Sequence, residues 1–123
     1  TADTIRLSKK AKELGVDVLS VISPYFAAIS QDELYNHYAE LAGAVDLPIV
    51  MYNMPARTGN NLNPDTVAKL SKIPNIVGVK DSSGNFDNMK QYIELTDPET
   101  FSVLSGNDAL IQWNLLAGGA GVG

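Results

Sequence analysis

Three side chains of this 123-residue chain have the types and the setting for carbonyl chemistry: Lys80, Tyr52 and Arg57. Lys80 closes a short apolar run, Ile76 to Val79, and is followed by the turn formers Asp81-Ser82-Ser83-Gly84. The run reads as a strand buried on both faces, and the Ser/Gly cluster as the turn that ends it. Apolar surroundings at the mouth of such a strand disfavour an ammonium, and a neutral amine can attack a carbonyl carbon to form an imine. Taken alone, a strand-end lysine is more commonly just the point where a strand meets solvent. Tyr52 closes the run Leu47-Pro48-Ile49-Val50-Met51. A phenol there can shuttle the protons that imine chemistry requires; its plainer reading is a core ring with a wet hydroxyl. Arg57 follows in the loop Asn53–Gly59. It can fork a substrate carboxylate in bidentate geometry, or simply be solvated.

The elements that must position these residues alternate. Thr1 to Leu14 reads as a helix with Ile5, Leu7, Ala11 and Leu14 on its face, ended by Gly15. Val16 to Ile22 is a strand closed by Ser23-Pro24, and Tyr25 to Ile29 is loop. Ser30-Gln31-Asp32-Glu33 is a capping box that opens a helix to about Val45, with Leu34, Tyr38, Leu41 and Ala42 inward. Leu47 to Tyr52 is a strand whose proline stands at its start. Asn63-Pro64 opens a helix ending near Lys72, with the proline at the first helical position. Ile76 to Lys80 is a strand. Asn85 starts a helix with Met89, Tyr92, Ile93 and Leu95 as core candidates. Phe101 to Ser105 is a strand, Asn107 or Asp108 caps a helix through Leu116, and Gly118 to Gly123 begins a fifth strand.

Strands alternating with helices, at a repeat of about 25–30 residues, predict a parallel sheet built of βα units. An open doubly wound sheet would show a glycine-rich phosphate turn after its first strand; here that turn is Ser23-Pro24-Tyr25-Phe26. The prediction is therefore an α/β fold, a (β/α)8 TIM barrel. A barrel needs about 250 residues, so residues 1–123 are expected to form a partial barrel domain cut at both ends. All strands of a barrel point their C-terminal ends to one face, which carries the active site. That face would hold Ser23, Tyr52 with Asn53, Lys80, and Ser105 with Gly106; Gly106 is a candidate substrate contact.

Composition narrows the field. A net charge of −5 argues against nucleic acid and anionic membranes as partners. The chain has no cysteine and one histidine, His37, so thiol catalysis, disulfides and multi-His or Cys metal sites are excluded. No apolar run reaches the roughly eighteen residues of a membrane span, and no signal peptide is visible, so the expected location is the cytoplasm. His37 reads as a surface helix residue, Asp81 as a local cap or partner, and Trp113 with Leu115 and Leu116 as helix packing on the barrel wall. Gly118-Gly119-Ala120-Gly121 offers a weak alternative, the phosphate cradle of a phosphosugar barrel, but these glycines precede or lie in the strand.

Tyr52-Asn53-Met54-Pro55-Ala56-Arg57-Thr58-Gly59, Gly78-Val79-Lys80-Asp81 and Leu104-Ser105-Gly106-Asn107-Asp108 stand in the order and at the spacing of one family. With Ser23-Pro24-Tyr25 and Gly118-Gly119-Ala120-Gly121-Val122, they resemble the dihydrodipicolinate synthase / N-acetylneuraminate lyase family along essentially the whole chain. The resemblance implies a (β/α)8 barrel of which this chain is the fourth to eighth strands. It implies that Lys80 forms a Schiff base with pyruvate or another 2-oxo acid, without any other cofactor. It implies that Tyr52 shuttles protons and that Arg57 contacts the carboxylate of an aldehyde substrate. It also implies a homo-oligomer, tetramer or dimer, for the full-length protein.

The chain departs from the synthase pattern in three places. Phe26 stands where synthases carry a second tyrosine that reaches a neighbouring subunit's site. Gly123 stands where many carry isoleucine, and Asp81-Ser82-Ser83 where they often have Glu-Ala-Thr. Arg57 points to the synthase activity, which the resemblance puts first. Phe26 points to a 2-keto-3-deoxy sugar acid aldolase or an N-acetylneuraminate lyase-like enzyme. A non-catalytic barrel that binds a 2-oxo acid is the alternative of another kind.

Overall fold

Five parallel strands lie side by side in chain order, β1 (Leu19–Ile22), β2 (Ile49–Asn53), β3 (Ile76–Asp81), β4 (Ser102–Ser105) and β5 (Gly121–Val122). This is a computed structural model, and it describes all residues from Thr1 to Gly123. A doubly wound sheet reverses direction after its first half; an unreversed order with crossovers of one hand puts every helix on one face, as in a barrel wall. Burial agrees. Ile49, Met51, Val79 and Val103 point to the helices and are buried, whereas Val50, Tyr52, Lys80, Ser102 and Leu104 on the opposite face are half-open. The chain is an arc of a parallel (β/α) barrel, with its future interior uncovered.

The helical layer consists of α1 (Ala2–Glu13), α2 (Gln31–Ala44), α3 (Pro55–Thr58), α4 (Pro64–Leu70), α5 (Phe86–Leu95) and α6 (Ile111–Leu116). The capping box of α2 forms as predicted: Ser30 Oγ accepts from Glu33 N at 3.2 Å and Ser30 N donates to Glu33 Oε2 at 2.7 Å. These contacts, the backbone one first, hold the exposed Glu33 carboxyl below its usual range. Leu34, Tyr38 and Leu41 are wholly buried beneath the sheet, as are Met89 and Tyr92 of α5. Each such burial stabilises by about 1.5–3 kcal/mol. Asn85 caps α5 by accepting from Asn88 N, and Gly15 adopts the left-handed conformation expected after α1.

Several expectations are corrected. β1 starts at Leu19 rather than Val16, because the ladder begins where its neighbour begins, Leu19 opposite Ile49. β3 is not buried throughout: Ile76, Gly78, Val79 and Asp81 are buried, whereas Val77 and Lys80 are half-buried. Asn53–Gly59 is not all loop, since Pro55–Thr58 makes one helical turn closed by Gly59. The last helix breaks into a 3-10 turn, Asp108–Leu110, and α6. Leu7, Leu14 and Leu95 are exposed, leaving Ile5, Ala11 and Ile93 as the residues that touch the core. His37 is not a surface residue: it lies at 5 % exposure, with Nδ1 hydrogen-bonded to Thr1 Oγ1, and burial holds its pKa down. Trp113 is not packed on the wall; it is 59 % exposed and leans on Phe86. The glycine run leads into β5, whose first residue is Gly121, and serves packing. A Cβ at Gly119 would lie 2.1 Å from Asn114 Oδ1, and the buried Asn114 donates to the carbonyls of Val103 and Gly121, tying α6 to β4 and β5.

Candidate active site

Lys80 and Tyr52 are direct partners across the β2–β3 ladder, in a row that runs Ile22, Tyr52, Lys80, Leu104, Gly121 through successive strands. Side chains alternate along a strand, so all five positions face the uncovered side of the sheet near the strands' C-terminal ends. Lys80 Nζ lies 4.7 Å from the centroid of the Tyr52 ring. The Tyr52 hydroxyl donates to Met54 Sδ at 3.0 Å. A thioether is a weak acceptor, so this proton is easily redirected to a better one.

The space beside the lysine is kept by glycine. A Cβ at Gly106 would lie 2.9 Å from Lys80 Cε and 1.9 Å from Ser82 Oγ. Gly106 N is spent on the carbonyl of Asp81, at 2.8 Å. The position therefore provides clearance for Lys80, and its N–H already has a partner. A Cβ at Gly123 would lie 3.2 Å from Lys80 Cδ, so the departure noted there leaves room along the lysine stem. Ser82, whose hydroxyl stands in this same space just beyond β3, reads in the sequence only as a turn former and a departure from the synthase pattern, not as a site residue.

Arg57 sits on α3, above the end of β2, exposed and without an acidic partner in the chain. It does not touch Lys80 or Tyr52. Phe26, in the loop after β1, is 93 % exposed with its ring 4.5 Å from that of Tyr25. A groove of about 560 Å³ runs along the free edge of β1, lined by Leu7, Ala11, Leu19 and His37 among others; it does not include Lys80.

Behind the row lies a polar layer that faces the helices. Asp81 follows Lys80 and so points the opposite way; it is 1 % exposed. Its carboxyl accepts from Asn53 Nδ2 at 2.9 Å and from Ser83 Oγ at 2.8 Å. Burial raises its pKa, and these hydrogen bonds oppose the rise. Asn53 also donates to Asn61 and Tyr92 Oη, its two hydrogens shared among three acceptors, and accepts from Leu62 N at 3.0 Å. Tyr92 Oη donates to the carbonyl of Leu62 and accepts from Asn88 at 2.7 Å. Burial, then the Asp81 carboxylate, push the Tyr92 phenol well above its ordinary pKa, which keeps it a donor. Asp81 is thus a local partner of Ser83 and also joins β3 to the end of β2 through Asn53, which in turn holds the loop after α3.

A lysine and a phenol thus stand paired on adjacent strand ends of an arc of a (β/α) barrel. Comparison with known proteins gives the family. The model of the dihydrodipicolinate synthetase family matches residues 1–123, and the chain belongs to that family. It is 49% identical over 123 residues to a 4-hydroxy-tetrahydrodipicolinate synthase of Listeria welshimeri, covering 99% of this chain and 42% of that relative. Among solved structures, the 4-hydroxy-tetrahydrodipicolinate synthase of Methylacidiphilum fumariolicum SolV superposes with a TM-score of 0.93 at 41% identity, over 98% of this chain and 40% of that one. The dihydrodipicolinate synthase of Acinetobacter baumannii, solved in complex with pyruvate, gives a TM-score of 0.90 at 41% identity, over 96% and 40%. The chain thus spans about two-fifths of the length of these relatives.

Proposed function

We propose that the full-length protein is a Schiff-base aldolase of the 4-hydroxy-tetrahydrodipicolinate synthase kind, and that this segment supplies its reacting lysine. The observation that carries the reading is the Lys80–Tyr52 pair, ladder partners with the amine 4.7 Å from the ring. The Lys80 nitrogen adds to the keto carbon of pyruvate. The carbinolamine then loses its hydroxyl as water, and Tyr52 supplies the proton that this leaving group needs. The Tyr52 phenolate left by that step takes a methyl proton from the imine, giving an enamine whose carbon attacks the aldehyde. Arg57, which has no acidic partner of its own, then forks the aldehyde's carboxylate. No cofactor beyond the covalent imine enters this scheme. Gly106 contributes to substrate binding by the clearance it leaves beside Lys80.

A second reading within the class is favoured by two observations. Ser82 places a hydroxyl beside the lysine, and Phe26 has none to lend. Both suit a hydroxylated substrate, as for a 2-keto-3-deoxy sugar acid aldolase or an N-acetylneuraminate lyase-like enzyme. A 2-oxo acid-binding barrel without turnover is the third. For the whole protein we also propose a cytoplasmic homo-oligomer. The exposed Tyr25–Phe26 pair supports the self-association, and no helix is long and apolar enough to cross a membrane. The test is turnover of pyruvate by the full-length enzyme against a panel of aldehydes. Aspartate semialdehyde should be the best, and Tyr52→Phe should slow it by roughly 10²–10⁴, the scale of a lost acid–base group. Preference for a sugar aldehyde would select the second reading, and no turnover with any aldehyde the third.

A further inference from the structure

The loop after β1, which carries Tyr25 and Phe26, and the loop after β2, which carries Arg57, meet through one side chain. Asn60 is 4 % exposed. Its Nδ2 donates to the carbonyl of Pro24 at 2.8 Å and to that of Ala27 at 2.9 Å, and its Oδ1 accepts from Ile29 N at 3.0 Å. The three bonds bracket the Tyr25–Phe26 pair. On its own side Asn60 is tied just as closely to the Arg57 turn. Its N–H donates to Thr58 Oγ1 at 3.1 Å, and that hydroxyl is within hydrogen-bond distance of the carbonyls of Asn60 and Met54. One amide therefore uses both of its hydrogens and its oxygen on the backbone of the neighbouring loop. No other side chain of similar size offers two donors and an acceptor in that arrangement. Isosteric aspartate would turn an oxygen toward two carbonyl oxygens.

We propose that Asn60 is a positioning residue that locks the Tyr25–Phe26 loop to the Arg57 loop and so holds both Arg57 and the outward-reaching Phe26 where the second substrate is handled. This inference rests on the functional reading above. Asn60 touches neither Lys80 nor Tyr52, so it acts on the aldehyde step through Arg57 and the loop carrying Phe26, and leaves the pyruvate step alone. Nothing in its bonding is shared with the Asp81 layer, which supports the same loop from the helix side through Asn53 and Leu62.

The experiment compares full-length wild type with Asn60→Asp and Asn60→Ala. The readouts are the KM for the aldehyde, borohydride trapping of pyruvate on Lys80, and backbone amide exchange. Losing a buried donor pair should raise the aldehyde KM roughly tenfold or more in both variants. The rate of pyruvate trapping should stay at the wild-type value. Exchange should rise together in residues 24–29 and 54–60 and nowhere else. In Asn60→Asp the ratio of variant to wild-type KM should fall toward one as the pH is lowered, since a protonated carboxyl regains a donor for these carbonyls. Equal loss of pyruvate trapping and aldehyde use, an unchanged aldehyde KM, or exchange raised in only one of the loops would overturn the proposal. Failure of the wild type to trap pyruvate on Lys80 would instead overturn the functional reading beneath it. If Asn60→Asp does not fold, Asn60→Ala carries the same KM, trapping and exchange criteria.

Discussion

At the scale of single residues, the site has two layers with opposite tasks. The row facing the barrel interior, with Tyr52 and Lys80, is half-open and holds the groups we propose to react. The layer behind it, with Asn53, Asp81 and Ser105, is buried and holds the strand ends in place. The first layer was legible in the sequence because Lys and Tyr ending apolar runs are conspicuous. The second was not, because Asn53 and Asp81 look like ordinary turn formers until Leu62 and Tyr92, far along the chain, close the network. Asp81 gives this layer a measurable signature. Its folded pKa is raised above the ordinary carboxylate value by burial. The stability it contributes is therefore fully present below the unfolded pKa of about 3.9 and is lost as pH rises through the folded value. Asp81→Asn does not titrate. Relative to wild type, the full-length variant should gain stability as pH rises from about 4 to 7, read from denaturant midpoints at each pH. A difference that is flat or reversed would show that the carboxyl is not held in this way.

At the scale of elements, the parts that were legible carry local chemical signals. The Ser30–Glu33 box, Asn63-Pro64, Asn85 and Gly15 each mark a helix end by their own hydrogen-bonding or backbone preferences, and each stands where it was expected. What escaped depends on neighbours. The start of β1 is set by where β2 begins, and α3 is too short to show a 3.6-residue period. His37 looks like a polar helix residue, and its partner Thr1, the residue before α1, stands 36 positions away in the chain. The α2 cap has a direct test. Ser30→Ala removes one of the two reciprocal bonds and should lower stability by about 1 kcal/mol, seen as a lower denaturant midpoint with unchanged slope. No change at all would mean that the box adds nothing to the packing of Leu34, Tyr38 and Leu41.

At the scale of the whole molecule, the sequence order of the strands made the barrel readable. The βα repeat predicted a parallel sheet, and the absence of a phosphate turn after the first strand selected against the open, doubly wound alternative. The observed order β1-β2-β3-β4-β5 bears this out. The same order explains why the reactive row is half-open: one face of the arc carries all the helices, and the other is the barrel interior. Both β1 and β5 keep a free edge within this chain, which spans about two-fifths of the length of its relatives. The central claim is that Lys80 is the amine that takes the 2-oxo acid, and one measurement addresses it directly. Full-length protein is incubated with pyruvate, reduced with borohydride, digested and mapped by mass spectrometry. The account predicts one reduced pyruvyl adduct per chain, on Lys80, absent from Lys80→Ala. An adduct on Lys72 or Lys90 in place of Lys80, or none on any lysine, would contradict it.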